Sequence, residues 1–162
     1  MNLKEEKAVS YVSAKEQDKV SRGLLSWLNQ NTSFPAGVKS FAFEYLDEDK
    51  PCMALSTIQG AYIIKQYIGG DYMAEYQFKL IYRGQPDTTG TRLSMDEVLN
   101  EIADSAVFLA NRLHDTPDIG HGFIVRKLIC NARSSFFGRY ENGDEDHQIL
   151  MKLSYYAERK SV

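Results

Sequence analysis

The sequence predicts an α+β fold in which two helices pack on one face of a mainly antiparallel sheet. Three observations predict it: a hairpin pattern over residues 56–83, an alternating strand over 146–156, and two stretches of helical periodicity that divide the strands into runs. The hairpin is the centre of the reading. Tyr72, Ala74, Tyr76, Phe78, Leu80 and Tyr82 fall on one side of its second arm, and Glu75, Gln77, Lys79 and Arg83 on the other, the period-two signature of a half-buried strand. The first arm carries apolar groups on both sides (Tyr62, Ile63, Ile64, Tyr67, Ile68), which predicts the more central place in the sheet. Gly69-Gly70 supplies the positive-φ pair that a tight hairpin turn needs.

In chain order, residues 1–13 are polar with scattered apolar positions and read as either a flexible N-terminal arm or an extra helical turn. Val20, Leu24, Trp27 and Leu28 recur at helical intervals, which predicts a helix over 14–31. Pro35 and Gly37 mark a loop, and Phe41, Phe43 and Tyr45 alternate with polar or small residues in a strand over 39–45. Asp47-Glu48-Asp49-Lys50-Pro51 reads as an exposed turn, and 52–59 as a short returning strand before the hairpin. Residues 84–92 read as a surface loop. Ser94 and Glu97 form a capping box for a second helix with Met95, Val98, Leu99, Ile102, Ala106, Leu109 and Leu113 on one face. A turn-rich crossing over 114–122 leads to a strand over 123–130, then a bulge or turn over 131–135. A second hairpin follows around Glu141-Asn142-Gly143-Asp144, with Ile149, Met151, Leu153 and Tyr155 on one face of its last strand. The 162 residues suit one domain, 1–162, with a frayed tail at 157–162.

Nineteen basic against 22 acidic residues give a net charge of −3, which argues against broad duplex binding driven by counterion release. Cys52 and Cys130 lack metal or disulfide-framework spacing and read as reduced thiols of a cytosolic product. No signal region and no membrane-length apolar run are apparent, so no membrane partner is expected.

The residues offer no catalytic motif and no cofactor site. His114, Asp115, Asp118 and His121 have ligand chemistry but match no metal-site spacing, and Asp, Pro and Gly in the same stretch suit a turn. His147 has no partner in sequence and reads as a structural or surface histidine. Ser134-Ser135 lacks the glycine frame of a nucleophile elbow, and Gly69-Gly70 and Gly120-His121-Gly122 lack the spacing of phosphate-binding loops. Ten Tyr and eight Phe, many on strands that carry Arg83, Arg126, Arg133 and Arg139, fit either a tyrosine-lined core or a protein interface. Glu141, Asp144, Glu145 and Asp146 read as a solvated turn.

The stretch STIQGAYIIKQYIGGDYMAEYQFKLIYR, the helix LSMDEVLNEIADSA and the hairpin RYENGDEDHQILMKLSY together resemble a family of phage minor capsid or tail-terminator proteins from Gram-positive hosts, over residues 23–156. The resemblance implies a tail-terminator-like fold and a structural, non-enzymatic role in a virion or tail-like particle made in the host cytoplasm. It implies a homo-oligomeric ring, commonly a hexamer, that caps the tail tube, stops its polymerisation and offers a surface to the head-tail connector. DNA would meet it only in passing through a channel. The alternative is a head-tail adaptor without a terminating role; a metal-dependent hydrolase using His114, Asp118 and His121 is a remote third. On the ring reading the expected contact residues are Asp47, Glu48, Asp49, Arg83, Arg92, Arg139, Glu141, Asp144, Glu145 and Asp146. Alanine at Arg83 and Arg92 would then weaken assembly without unfolding the subunit.

Overall fold

A computed structural model describes residues 10–46 and 50–159. The expected contact residues Asp47, Glu48 and Asp49, most of the N-terminal arm and the last residues of the tail lie outside that range. The fold is α+β: two helices and a six-stranded, mainly antiparallel sheet. In chain order the elements are β1 (Ser10–Tyr11), α1 (Ala14–Asn31), β2 (Phe41–Phe43), β3 (Cys52–Gln66), β4 (Tyr72–Gly84), α2 (Thr89–Asn111), β5 (Phe123–Arg139) and β6 (Glu145–Ala157). The strand order is β1-β3-β4-β6-β5, with β2 also on β3.

The alternation in β4 becomes its register. Tyr72, Ala74, Tyr76, Phe78, Leu80 and Tyr82 are buried, and opposite them in β6 stand Ala157, Tyr155, Leu153, Met151, Ile149 and His147. Each large apolar side chain in this double row contributes roughly 1.5–3 kcal/mol by leaving water. The row meets both helices. Tyr72 and Tyr155 donate to the buried carboxylate of Glu16 in α1, the latter at 2.6 Å, and Tyr76 bonds Ser21 at 2.9 Å. His147 bonds Asp96 of α2 at 2.8 Å. Burial, and then the Glu16 carboxylate beside them, push the Tyr72 and Tyr155 hydroxyls well above the usual phenol range.

Helix α1 begins where Ser13 accepts from the Glu16 amide at 3.2 Å, and buries Val20, Leu24, Trp27 and Leu28. Its Gln17 accepts from Ala61 N at 2.5 Å, steadying a bulge in β3. There Gln59 and Gly60 take positive φ and the pairing jumps from Thr57↔Phe78 to Ala61↔Tyr76. The bulge joins the two strands expected at 52–59 and in the hairpin's first arm into one, β3. That arm is also not the more central one. β4 has two long neighbours, whereas among the described residues the outer side of β3 carries only the short β1 and β2.

Other boundaries moved too. β2 runs parallel to β3, Phe41↔Met53 to Phe43↔Leu55, so 52–59 is not a return beside it. Asn29 fixes β2 by accepting from Phe41 N at 2.7 Å and donating to its carbonyl at 3.3 Å. Helix α2 starts at Thr89, inside the expected loop: Thr88 is the N-cap, accepting from Thr91 N at 3.1 Å, and Ser94 bonds the Gly90 carbonyl within the helix. Residues 131–135 are irregular pairing inside a continuous β5. Ser10 and Tyr11 of the arm pair with Ile63 and Tyr62. The start of the tail is anchored, since Glu158 N bonds the Gly122 carbonyl at 2.9 Å and Arg159 N bonds Asp71 at 2.8 Å. Among the described residues no helix is long and apolar enough to cross a membrane.

One glycine tests the packing of α1 on the 114–122 crossing. A Cβ on Gly23 would lie 2.1 Å from the Asp118 carbonyl oxygen, which is backbone. Alanine in a helix interior normally gains about 1 kcal/mol over glycine. Here Gly23→Ala should instead cost roughly 1–3 kcal/mol through overpacking, read as a lower melting temperature. A stabilised Gly23→Ala protein would contradict this contact.

Candidate functional site

The expected contact residues that are described, Arg83, Arg92, Arg139, Glu141, Asp144, Glu145 and Asp146, converge at one end of the sheet, where β4 and β5 finish, β6 begins and the first turns of α2 lie. The turn between β5 and β6 is built by Asn142, whose side-chain oxygen accepts from Asp144 N at 3.0 Å, and by Gly143 at φ 92°. It feeds three consecutive acidic residues into the sheet. Asp144, Glu145 and Asp146 are 3%, 1% and 3% exposed, so the solvated turn expected for this acidic group does not form; within it only Glu141 is exposed.

Each buried carboxylate has its own cations. Asp146 accepts both Arg83 Nε at 2.6 Å and Arg83 Nη2 at 2.7 Å, and also the Tyr140 hydroxyl at 2.8 Å. Arg83 lies over the Tyr140 ring, 4.5 Å from its centre, and donates to its hydroxyl at 2.9 Å, closing a triangle. The Asp146 bond holds the Arg83 guanidinium above its ordinary range, and the same carboxylate raises the Tyr140 phenol. Glu145 accepts from Arg92 Nε at 2.9 and 3.1 Å and from Arg139 Nη2 at 3.2 Å. Asp144 accepts from Gln85 at 2.8 Å and Asn142 at 3.1 Å, with Lys50 Nζ at 3.4 Å. Burial pushes the Asp144 carboxyl up, but the bonds from Gln85 and Asn142 and the Lys50 charge outweigh it and hold it below the usual carboxylate range.

Strand geometry divides this cluster between two faces. Glu145 stands opposite Gly84 on the side where His147 and α2 lie, and Asp146 stands opposite Arg83 on the other. His147 is 1% exposed; its Nδ1 bonds Asp96 and its Nε2 lies 3.9 Å from Glu145 Oε1 without a hydrogen bond. Ser134 donates to the same Asp96 oxygen at 2.7 Å, so serine and histidine share a carboxylate rather than forming a nucleophile and base. His147, expected as a structural or surface group, is structural.

Arg83, Arg92, Arg139, Asp144, Glu145 and Asp146 are therefore brought together, but as partners within one subunit. The expectation that alanine at Arg83 and Arg92 leaves the subunit folded is at odds with this, because each arginine neutralises a buried carboxylate. Sequence reasoning missed Lys50, Gln85, Asp96, Tyr140 and Asn142 in the cluster. The residues of the weighed metal reading are placed otherwise: Asp115 accepts from Trp27 Nε1 at 3.2 Å and Asp118 from Gly120 N at 3.0 Å. Among the described residues no group of three or more His, Cys, Asp or Glu is placed to hold a metal ion.

Two outcomes test the cluster. Arg83→Ala should destabilise the subunit by about 3 kcal/mol, the low end for breaking a buried pair, since Asp146 is left buried and uncompensated. Arg22→Ala, at the exposed pair with Asp18, should cost less than about 0.5 kcal/mol. Equal losses in urea denaturation would contradict the burial argument. Because Asp144 titrates lower folded than unfolded, its contribution is complete above the unfolded value of about 3.9 and is lost as pH falls towards the folded value. Asp144→Asn should therefore flatten the acid limb of the urea midpoint against pH; an unchanged limb would contradict the assignment. Comparison of the chain with protein-family models and with curated proteins found no match.

Proposed function

We propose that this protein is a structural component of a phage tail or tail-like particle, acting as a homo-oligomeric ring, in keeping with a hexamer, that caps the tail tube, ends its polymerisation and presents a surface to the head-tail connector. The resemblance of residues 23–156 to tail-terminator and minor capsid proteins motivates the role. The observation that supports it most is the distribution of exposed aromatic side chains. Tyr11 and Tyr45 are 57% and 62% exposed, and Phe136 and Phe137 are 51% and 57% exposed, at the two opposite borders of the sheet. Large aromatic groups in water at two separate borders favour contacts with other protein, and two different borders favour head-to-tail contacts over a two-fold dimer. The charged end of the sheet plays a supporting part on this reading, bracing the subunit while the borders meet neighbours.

The test is electron microscopy of particles from the parent phage or prophage with this gene removed and then restored. Termination requires overlong tails of variable length lacking heads, returned to uniform length by the wild-type gene. Normal-length tails beside unattached heads would move the role to an adaptor, and unchanged particles would overturn the structural reading altogether.

A further inference from the structure

We propose that the β3–β4 hairpin tip of one copy of this chain inserts Ile68 into the groove between α1 and α2 of the next; this rests on the ring reading above and names one of its contacts. The tip is an apolar knob. Ile68 is fully exposed, and Ile64 and Tyr67 are exposed beside it. The turn that carries them is braced: Tyr67 N bonds the Asp71 carbonyl at 2.8 Å, Gly70 N bonds the Tyr67 carbonyl at 3.1 Å, and Arg159 Nη1 donates to the Gly69 carbonyl at 3.2 Å. Tyr67 also packs on Tyr156, with ring centres 5.9 Å apart. Holding an isoleucine in water adds nothing to the subunit's own stability, and an ordered tip loses little freedom on docking.

The groove is the matching hole. It has a volume of about 280 Å³ and apolar walls, with Trp27, Leu28 and Phe34 from α1 and the loop after it, and Val98, Ile102 and Leu109 from α2. That is room enough for the four-carbon side chain of isoleucine. The tip does not fill the groove of its own chain. Helix α1 starts at the tip end of the sheet, where Glu16 bonds Tyr72 and Gln17 bonds Ala61, and the groove begins at Trp27, about 16 Å further along the helix.

Charge selects a second copy as the occupant. The segments that supply the walls, 27–35 and 98–109, contain Glu101 and Asp104 and no basic residue. Asp104 is paired with Arg133, while Glu101 lines the groove and is exposed, with Glu97 exposed one turn before it. The last turn of α1 adds the negative end of its dipole, with no basic side chain to offset it. The tip has the opposite sign. Residues 62–70 carry one charge, Lys65, whose Nζ lies 5.1 Å from the centre of the Tyr67 ring, and Arg159 rests against Gly69. Asp71 in the same turn is engaged by the Tyr156 hydroxyl and the Arg159 amide. An exposed apolar group and a pocket that fits it, on different surfaces of one chain, make a head-to-tail contact, which closes into a ring where the rotation allows.

Paired cysteines test this in the full chain with Cys130→Ser, the buried Cys52 being left in place. One protein carries Ile68→Cys, a second Ser105→Cys in the groove lining, and a control Glu141→Cys, exposed at the opposite end of the sheet. Variants are used once their thermal melts match the parent's. After mild oxidation, Ile68→Cys with Ser105→Cys should give disulfide-linked heterodimers at about ten times the yield of Ile68→Cys with Glu141→Cys, because docking raises the local thiol concentration. Adding Glu101→Lys to the groove chain should lower that yield about two- to fivefold, and Lys65→Glu on the tip chain should restore it. Equal yields with Ser105→Cys and Glu141→Cys overturn the proposal, and so do products that link only Ile68→Cys to itself, which would mean two-fold pairing of tips. A yield indifferent to Glu101→Lys overturns the charge match that assigns the groove to a second copy. Oligomers seen by native mass spectrometry without the link leave the ring standing on other contacts, and failure of the ring reading itself is registered separately, by tail morphology in the gene-deletion particles.

Discussion

The structure depends on the pairing of β4 with β6. All 13 residues of β4 find a partner among the 13 of β6, with no bulge between Tyr72↔Ala157 and Gly84↔Glu145. Side chains alternate faces along a strand, so a slip of one residue would turn one strand over against the other and carry either Tyr76, Phe78 and Leu80 or Ile149, Met151 and Leu153 out of the core. The buried row fixes the register, and the register fixes the rest. It presents two tyrosine hydroxyls to Glu16 at one end and sets Asp146 opposite Arg83 at the other. The register shifts fall in the pairings of β3 and β5, the strands flanking this pair.

The charged end follows from that constraint. The carboxylate just before β6 and those at its first two positions are all buried, and every one meets a cation from a different element: Lys50 before β3, Arg83 at the end of β4, Arg92 in α2 and Arg139 in β5. Buried ion pairs of this kind contribute little net stability compared with apolar packing, but loss of one partner is costly, and so they favour one arrangement over its competitors. The cluster ties four segments to the start of β6. Residues engaged in this way are poor candidates for primary contacts between subunits. On the proposed ring reading, the exposed aromatic side chains at the sheet borders are better ones.

Much of this was legible in the sequence because it is local. The alternation of Tyr72 through Tyr82, the Gly69-Gly70 turn and the period of Val20, Leu24 and Trp27 each express one element's burial on one face. The start of α2 was misread for an equally local reason: Ser94 and Glu97 form a plausible capping box, and Pro86 and Gly90 look like loop residues. The cap is Thr88, and Arg92 earns its helical position from Glu145, a partner 53 residues away. The acidic run after Gly143 was misread as solvated because Arg83 lies 63 residues from Asp146 and nothing near the run announces it. The parallel placement of β2 is likewise a tertiary matter, settled by Asn29 of α1 holding the Phe41 backbone.

Native-state hydrogen exchange of the isolated subunit tests the claimed hierarchy most directly. If the β4 and β6 register organises the fold, the amides of Tyr76, Phe78, Leu80, Met151 and Leu153 exchange only by global unfolding, while those of β1, β2 and the outer half of β5 exchange sooner through local opening. Exchange from β4 as fast as from β2 would contradict the account, since the sheet would then be held from its borders and not from its centre.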